Sequence, residues 1–507
     1  MEIKIAVDQV EKHECGALII NLFEGVVIPG GATGAIDFAL RGMISRLISE
    51  GEITGKLMET TLLHTDGLID PDRILVLGLG KQADFGTTAI RKASGAAVRF
   101  LQSRGIKRIA TIVHGAGIGG IDVRAASQSL VEGSIIGAYD SGLYKTSNDR
   151  KQIESLTIVE CDASKIPDIE IGAEIGCITA DSVNNARTLG NEPACIMTPE
   201  YLAEYIKPLA GYPGMEYEEL DVYRMRELGM NAIISVGQGS SNPPRLITLR
   251  YTVDGSRPTI AFVGKAVTFD SGGISIKPSA GMHEMKFDMA GGAAVIETMR
   301  IIGELKPDIN VIGIIPAVEN MPGGGAFRPG DVITCLNGKT VEITTTDAEG
   351  RLILADALAY AVKLGAEAIV DIATLTGGCT VALGNDISGV MGNNPEFMRK
   401  LKETADITGE RVWELPLPAD YRELLDSDIA DMTNAGGRSA QTIQGGLFLS
   451  EFVGDVPWIH LDIGGTGDMS SGAGPKDRSK YLAMGASGMG VRTLSLLAER
   501  MSKSFDI

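Results

Sequence analysis

Short β-branched or apolar runs alternate with stretches of helical period along almost the whole chain, the pattern of a parallel α/β architecture. In the first third, 73–80 ("RILVLGLG") and 108–115 ("RIATIVHG") read as buried strands, with 86–105 between them as a helix. A polar stretch at 145–170 marks an expected domain boundary. It leads into a helical segment, 171–190, which Gly190 and Pro193 would stop. Further strands are expected at 259–265, 310–317, 341–346, 368–375 and 458–463, with helices at 291–305 and 352–364. The expected organisation is a smaller N-terminal α/β domain over 1–165, a linker helix over 166–190, and a larger C-terminal α/β domain over 191–507 with a mostly parallel central sheet.

Composition narrows the class. The 507 residues are 44% hydrophobic and 22% charged, ordinary globular values that exclude a disordered chain. No apolar run approaches the ~18 residues needed to cross a bilayer. The first residues, "MEIKIAVDQVEKHE", lack the continuous apolar stretch of a signal peptide, which points to the cytoplasm. A net charge of -19 disfavours nonspecific nucleic-acid binding, which needs a field of Lys and Arg. The six cysteines lie far apart without a CxxC pair, so they read as reduced, mostly buried thiols rather than a disulfide or zinc framework. With only five histidines, any metal site must rest mainly on carboxylates.

Gly115, Gly117 and Gly120 spell G-x-G-x-x-G after an expected strand, with Asp140 twenty residues on, the formal dinucleotide fingerprint. In a chain with 64 glycines such a match arises by chance, and "GIGGIDVRAAS" delays any helix beyond the last glycine. A glycine-rich loop is the preferred reading.

The chemistry concentrates in 263–288, "VGKAVTFDSGGISIKPSAGMHEMKFD", and 345–351, "TTDAEGR". Each follows an expected strand, and in open parallel sheets ligand sites form beyond the carboxyl ends of strands. Asp347, Glu349 and Arg351 are spaced two apart, so a strand running on through them would put all three on one face. Gly350 permits close backbone approach. A solvated turn is the competing reading of this triplet. Lys265, Asp270, Lys277 and Asp288 stand among glycines and small residues, and singly each reads as a surface ion pair. Gathered together, Asp270, Asp288, Asp347 and Glu349 would repel or protonate unless cations neutralised them, and two divalent ions would do so. Lys265 could join as a nitrogen ligand only as the neutral amine; an ion pair with a nearby carboxylate is the alternative. No G-x-S-x-G elbow, H-E-x-x-H or Walker loop is present. His64, His114 and His460 lie in apolar or strand contexts and read as hydrogen-bonded structural histidines.

These segments resemble the leucyl aminopeptidase family of cytosolic metallo-aminopeptidases, over most of the chain. The family signature "NTDAEGR" is matched by "TTDAEGR" (345–351), flanked by "VGKAVTFDSGG" (263–273), "ENMPGGGAFRPGD" (319–331) and "DIATLTGG" (371–378). "NNARTLGNEP" (184–193), "SVGQGS" (235–240) and "ASGMGVRTL" (486–494) follow the family order too. The resemblance implies that the C-terminal domain is catalytic and removes the N-terminal residue, leucine or another apolar one, from short peptides with a hydroxide activated between two metals. Lys265, Asp270, Asp288 and Glu349 match the ligands of the tighter metal; Asp270, Asp347 and Glu349 match those of the more exchangeable one. Lys277 and Arg351 match the catalytic pair, Arg351 holding a bicarbonate ion, and Met285, Thr374 and Gly377 match pocket positions. Zinc or manganese is the implied metal, the same donors admitting magnesium or cobalt, and a homohexamer the implied assembly. Thr345, Ala266, Gly378 and the stretch 438–446 depart from the family pattern, all outside the metal and catalytic positions. A noncatalytic relative acting as a scaffold or DNA-binding protein is the alternative, disfavoured by the intact charged set and the acidic balance.

Overall fold

The computed structural model describes residues 1–115, 120–146, 150–469 and 477–507. The chain divides into two compact units, Met1–Asp181 with Lys476–Ala483, and Ser182–Pro475 with Met484–Ile507. The helix expected at 171–190 runs from Ile166 to Asn191 and carries the chain from the first into the second. No helix among the described residues is long and apolar enough to cross a membrane.

The first unit is built on six strands: β1 (Glu2–Val7), β2 (Ala17–Leu22), β3 (Thr60–His64), β4 (Arg73–Gly78), β5 (Arg108–Thr111) and β6 (Ser155–Glu160). Their order is β1-β6-β5-β2-β4-β3, and β3 alone runs antiparallel to its neighbour. The polar stretch read as a boundary contains β6, which sits between β1 and β5. Charged residues on both sides of "SLTIVE" hide this mostly buried strand, which falls within the N-terminal domain expected over 1–165. Of the glycine fingerprint, Gly117 lies outside the described residues. Gly115 and Gly120 both have positive φ, and the next helix opens only at Val123, with the Asp122 side chain capping Ala125 N. His64 is exposed at the end of β3, contrary to a hydrogen-bonded core role, whereas His114 is buried.

The second unit contains β7 (Met215–Leu220), β8 (Arg245–Tyr251), β9 (Thr259–Gly264), β10 (Ala266–Asp270), β11 (Asn310–Asn320), β12 (Val332–Thr334), β13 (Thr340–Glu342), β14 (Ala368–Ala373), β15 (Ser388–Gly392), β16 (Val412–Glu414), β17 (Met432–Thr433) and β18 (Trp458–Asp462). Nine of them form one sheet, ordered β16-β15-β18-β14-β9-β11-β8-β7, with β10 paired to β11. Its centre, β18, β14, β9 and β11, is parallel. Such strands are buried on both faces, which is why they read as continuous apolar runs. Helices Asn231–Gly237, Glu349–Lys363 and Gln441–Ser450 share one core with Ala261, Val263, Ile369 and Trp458 on one face. On the other face, Ile372 approaches Gly490 and the helix Ala290–Leu305.

The strand expected at 341–346 stops at Glu342. Beyond it the backbone of 344–345 pairs with a side chain instead of a strand: Thr344 N donates to Asn434 Oδ1, and Asn434 Nδ2 donates to Thr345 O. Glu349 opens a helix, so Glu349 and Arg351 are not related by a strand period. Two helical steps turn them roughly 200° apart, and they serve different parts of the site. Of the six cysteines, three are buried, Cys177 is half-buried, and Cys161 and Cys195 are exposed; none is in a disulfide.

Candidate metal centre

All ten residues nominated from the sequence line one cavity of about 240 Å³ beyond the carboxyl ends of the parallel strands. Lys265 follows β9, Asp270 ends β10, and Thr374 follows β14. Met285 lies in the 3-10 turn Met282–Phe287, and Asp288 is its last cap. Asp347 precedes the helix whose first residue is Glu349, where the positive end of the helix favours a carboxylate.

Local sequence explains the placement. Gly272 and Gly273 take positive φ and turn the chain back after β10, with Asp270 Oδ1 accepting from Gly272 N. Thr346 then stitches that turn to the loop before Glu349: its hydroxyl donates to Gly272 O at 2.6 Å and accepts from Ser275 N at 2.8 Å. Gly350 matters by having no side chain. A Cβ there would stand 2.6 Å from Lys265 Cε and 2.7 Å from its Nζ.

The acids interlock through two lysines. Oxygens of Asp270, Asp347 and Glu349 lie within 4.8 Å of one another. Asp288 joins through Lys265, whose Nζ is 2.8 Å from Asp288 Oδ1 and 2.9 Å from Glu349 Oε1, and donates to Thr374 O. Lys277 Nζ pairs with Asp270 Oδ2 at 2.7 Å and Asp347 Oδ1 at 2.5 Å. Burial opposes both ammonium charges, but the acids outweigh it and hold both lysines above the ordinary range. Lys265 is placed both as an ion-pair partner of Asp288 and Glu349 and, when neutral, as the one nitrogen donor among these oxygens. Burial and then Glu349 push Asp270 up to about 6; Asp288 is driven well above the carboxylate range by burial. For Glu349 the two lysines overcome burial and hold it low. Three buried acids and the exposed Asp347 against two ammonium groups leave an excess of negative charge, and Asp288 Oδ2 is buried without a hydrogen-bond partner. Hard oxygen donors with one amine, and an orphaned carboxylate oxygen among them, fit divalent cations.

Arg351 is fully enclosed, its pKa pulled down to about 10 by burial. Its Nη1 donates to Asn434 O at 2.8 Å, and the guanidinium stands 5.9 Å from the Phe448 ring centre. Three supporting residues carry no signal in the sequence pattern. Asn320 holds Asp270, Asn434 holds Arg351 through its carbonyl, and Asp462 accepts from Leu375 N, Thr376 N and Gly464 N on the cavity wall. Asn320 lies within the quoted motif at 319–331; the other two stand outside every motif.

The family profile described as "Cytosol aminopeptidase family, catalytic domain" matches residues 184–495, and that of the N-terminal domain matches 19–148. The probable cytosol aminopeptidase of Alkaliphilus oremlandii is 41% identical over 99% of this chain and 100% of its own length. That of Solibacter usitatus is 43% identical over 98% and 99%. Among solved structures, a mutant of tomato leucine aminopeptidase superposes with a TM-score of 0.87 at 32% identity, covering 99% of this chain and 96% of that one. The manganese complex of the bottromycin maturation enzyme BotP gives 0.83 at 31%, covering 96% and 100%. With both domain profiles matched and relatives alike from end to end, the chain belongs to the cytosol aminopeptidase family and is a metal-dependent aminopeptidase.

Proposed function

We propose that the protein releases an N-terminal leucine or similar apolar residue from short peptides, using two divalent ions held by Lys265, Asp270, Asp288, Asp347 and Glu349. The observation that carries this reading is the meeting of Asp270, Asp347 and Glu349 oxygens within 4.8 Å, beside the Lys265–Asp288 pair and inside a cavity that also holds Lys277 and Arg351. When bound, the ions would supply Lewis acidity toward the scissile carbonyl and a lowered pKa for water. Zinc or manganese suits the donor set, and the manganese complex of the BotP neighbour supports the latter.

The chain's own groups do the rest. Lys277, half-buried on a loop clamped by Thr346, would stay cationic and donate to the carbonyl oxygen as negative charge develops there. Arg351 offers a planar fork suited to a bidentate anion, and bicarbonate held there would act as the general base. Met285, Thr374 and Gly377 would border the N-terminal side chain, Met285 supplying an adaptable apolar wall. The enzyme would work in the cytoplasm as a homohexamer, residues 191–507 carrying the reaction.

Hydrolysis of leucine-p-nitroanilide tests the reading. Activity should vanish with a chelator and return on adding zinc or manganese at two ions per chain. Chelator-resistant turnover, or full activity at one ion, would overturn it.

A further inference from the structure

Thr374 stands where the central sheet meets the acids and lysines of the cavity, and its contacts do more than border a pocket. Along a strand, carbonyls two residues apart face the same neighbour. On β14, Ile372 O accepts from Lys265 N at 3.0 Å. Thr374 O, two residues on and just past the strand end, takes the Lys265 side chain in place of a backbone donor, with Nζ donating to it at 3.0 Å.

The side chain of the same residue reaches a different element. Its hydroxyl donates to Asp288 Oδ1 at 2.8 Å and lies 3.4 Å from Asp288 O. Lys265 Nζ donates to that same Oδ1, also at 2.8 Å. One oxygen of Asp288 therefore receives two donors, while Oδ2 is buried with none. Lys265, Asp288 and Thr374 thus close a three-membered ring of hydrogen bonds that ties the ends of β9 and β14 to the turn Met282–Phe287.

Packing holds the threonine from its other side. A Cβ on Gly467 would stand 2.9 Å from Thr374 Cγ2, so the methyl group occupies room that only glycine leaves there. A β-branched side chain has few χ1 choices, and with the methyl seated against Gly467 the hydroxyl faces Asp288. Valine would fill the same volume without the donor; serine would keep the donor without the methyl.

We infer that Thr374 is a positioning residue for metal binding. Through its hydroxyl and its carbonyl it orients Asp288 and Lys265, the two residues that match ligands of the tighter ion alone. The inference rests on the two-ion reading proposed above. A carboxylate with Oδ1 fixed by two donors keeps Oδ2 as the oxygen open to a cation. A neutral lysine amine would still carry N–H groups, and giving one to Thr374 O restricts where its lone pair points. Among the described residues, Thr374 makes no hydrogen bond to Asp270, Asp347 or Glu349, so its effect belongs to one ion and spares the other.

Calorimetric titration of the metal-free enzyme with zinc or manganese tests this, with Asp288→Asn identifying which binding step uses Asp288. In Thr374→Val that step should weaken roughly 10–100-fold while the other stays as in the wild type. Thr374→Ser should bind both ions as the wild type does. A residue that only walls the pocket would act otherwise: Thr374→Val would raise KM for leucine-p-nitroanilide and leave both ion affinities unmoved. That result overturns the inference, as does a serine variant that loses as much affinity as the valine one. A wild type that takes up fewer than two ions overturns the two-ion reading instead. Circular dichroism accompanies each titration. Should Thr374→Val not fold, Thr374→Ser and Thr374→Ala differ by the hydroxyl alone, and equal ion affinities in that pair would sink the proposal.

Discussion

Asn320 Nδ2 donates to Oδ1 of its register partner Asp270, 2.8 Å away, at the carboxyl ends of β11 and β10. The same amide nitrogen donates to Thr346 O at 3.0 Å, so one side chain fixes the rotamer of an acid and the loop that brings in Asp347 and Glu349. Groups that orient metal ligands typically contribute ~10–100-fold in affinity. Asn320→Ala should therefore weaken divalent binding by roughly that factor while the fold persists. Equilibrium dialysis against zinc or manganese, with far-UV circular dichroism as the control, checks this; unchanged affinity would remove Asn320 from the site.

Gly350→Ala makes the complementary change from the other side. The new methyl would collide with Cδ, Cε and Nζ of Lys265, and Lys265 is confined by Asp288, Glu349 and Thr374. A surface lysine would swing away, but here the ammonium would have to leave the acids it links. The expected outcome is loss of bound metal with little loss of helix, since alanine suits a helix better than glycine by about 1 kcal/mol. Elemental analysis of the purified variant decides: metal content equal to the wild type would mean the lysine adjusts without consequence.

Lys277 and Asp270 face each other at 2.7 Å, yet their variants should fail differently. Lys277→Ala removes a donor to the developing oxyanion, and kcat should fall by roughly 10²–10³ with metal retained. Asp270→Ala removes a shared ligand and should empty the site. Parallel measurements of turnover and metal content separate the two; equal metal loss in both would contradict the division of roles.

Much of the site is legible because charge is conspicuous. Acids and lysines set among glycines have no packing reason to be there, and the strand ends that carry them are continuous apolar runs. The error at Glu349 has a local cause. Its helix has Ala348 at the cap, without a side-chain cap hydrogen bond, so the usual Ser, Thr, Asp or Asn signal at that position is missing. The supporting residues stay hidden for another reason. Asn320 and Asn434 are uncharged and act through single amide or carbonyl groups, while Asp462 closes a strand whose acid would read equally well as an edge residue. Their roles exist only once β10, β11, β14 and β18 are side by side. β6 is concealed by flanking charge, since period and hydrophobicity are both diluted in a six-residue strand.

In the first unit, His114 gives an acid limit that can be measured apart from the metal centre. It is 1% exposed; Asn21 Nδ2 lies 3.1 Å from its Nδ1 and Thr111 Oγ1 3.4 Å from its Nε2. Burial pushes its pKa down to about 4, against about 6.5 in an unfolded chain. Between those values the unfolded state takes up a proton that the folded state refuses, so stability is present above pH 6.5 and lost as pH falls toward 4. The difference amounts to ~3 kcal/mol. Urea unfolding of the wild type and His114→Gln from pH 7 to pH 4.5 should show the wild type losing stability more steeply by about that amount. Parallel curves would mean that the folded first unit accommodates the imidazolium after all.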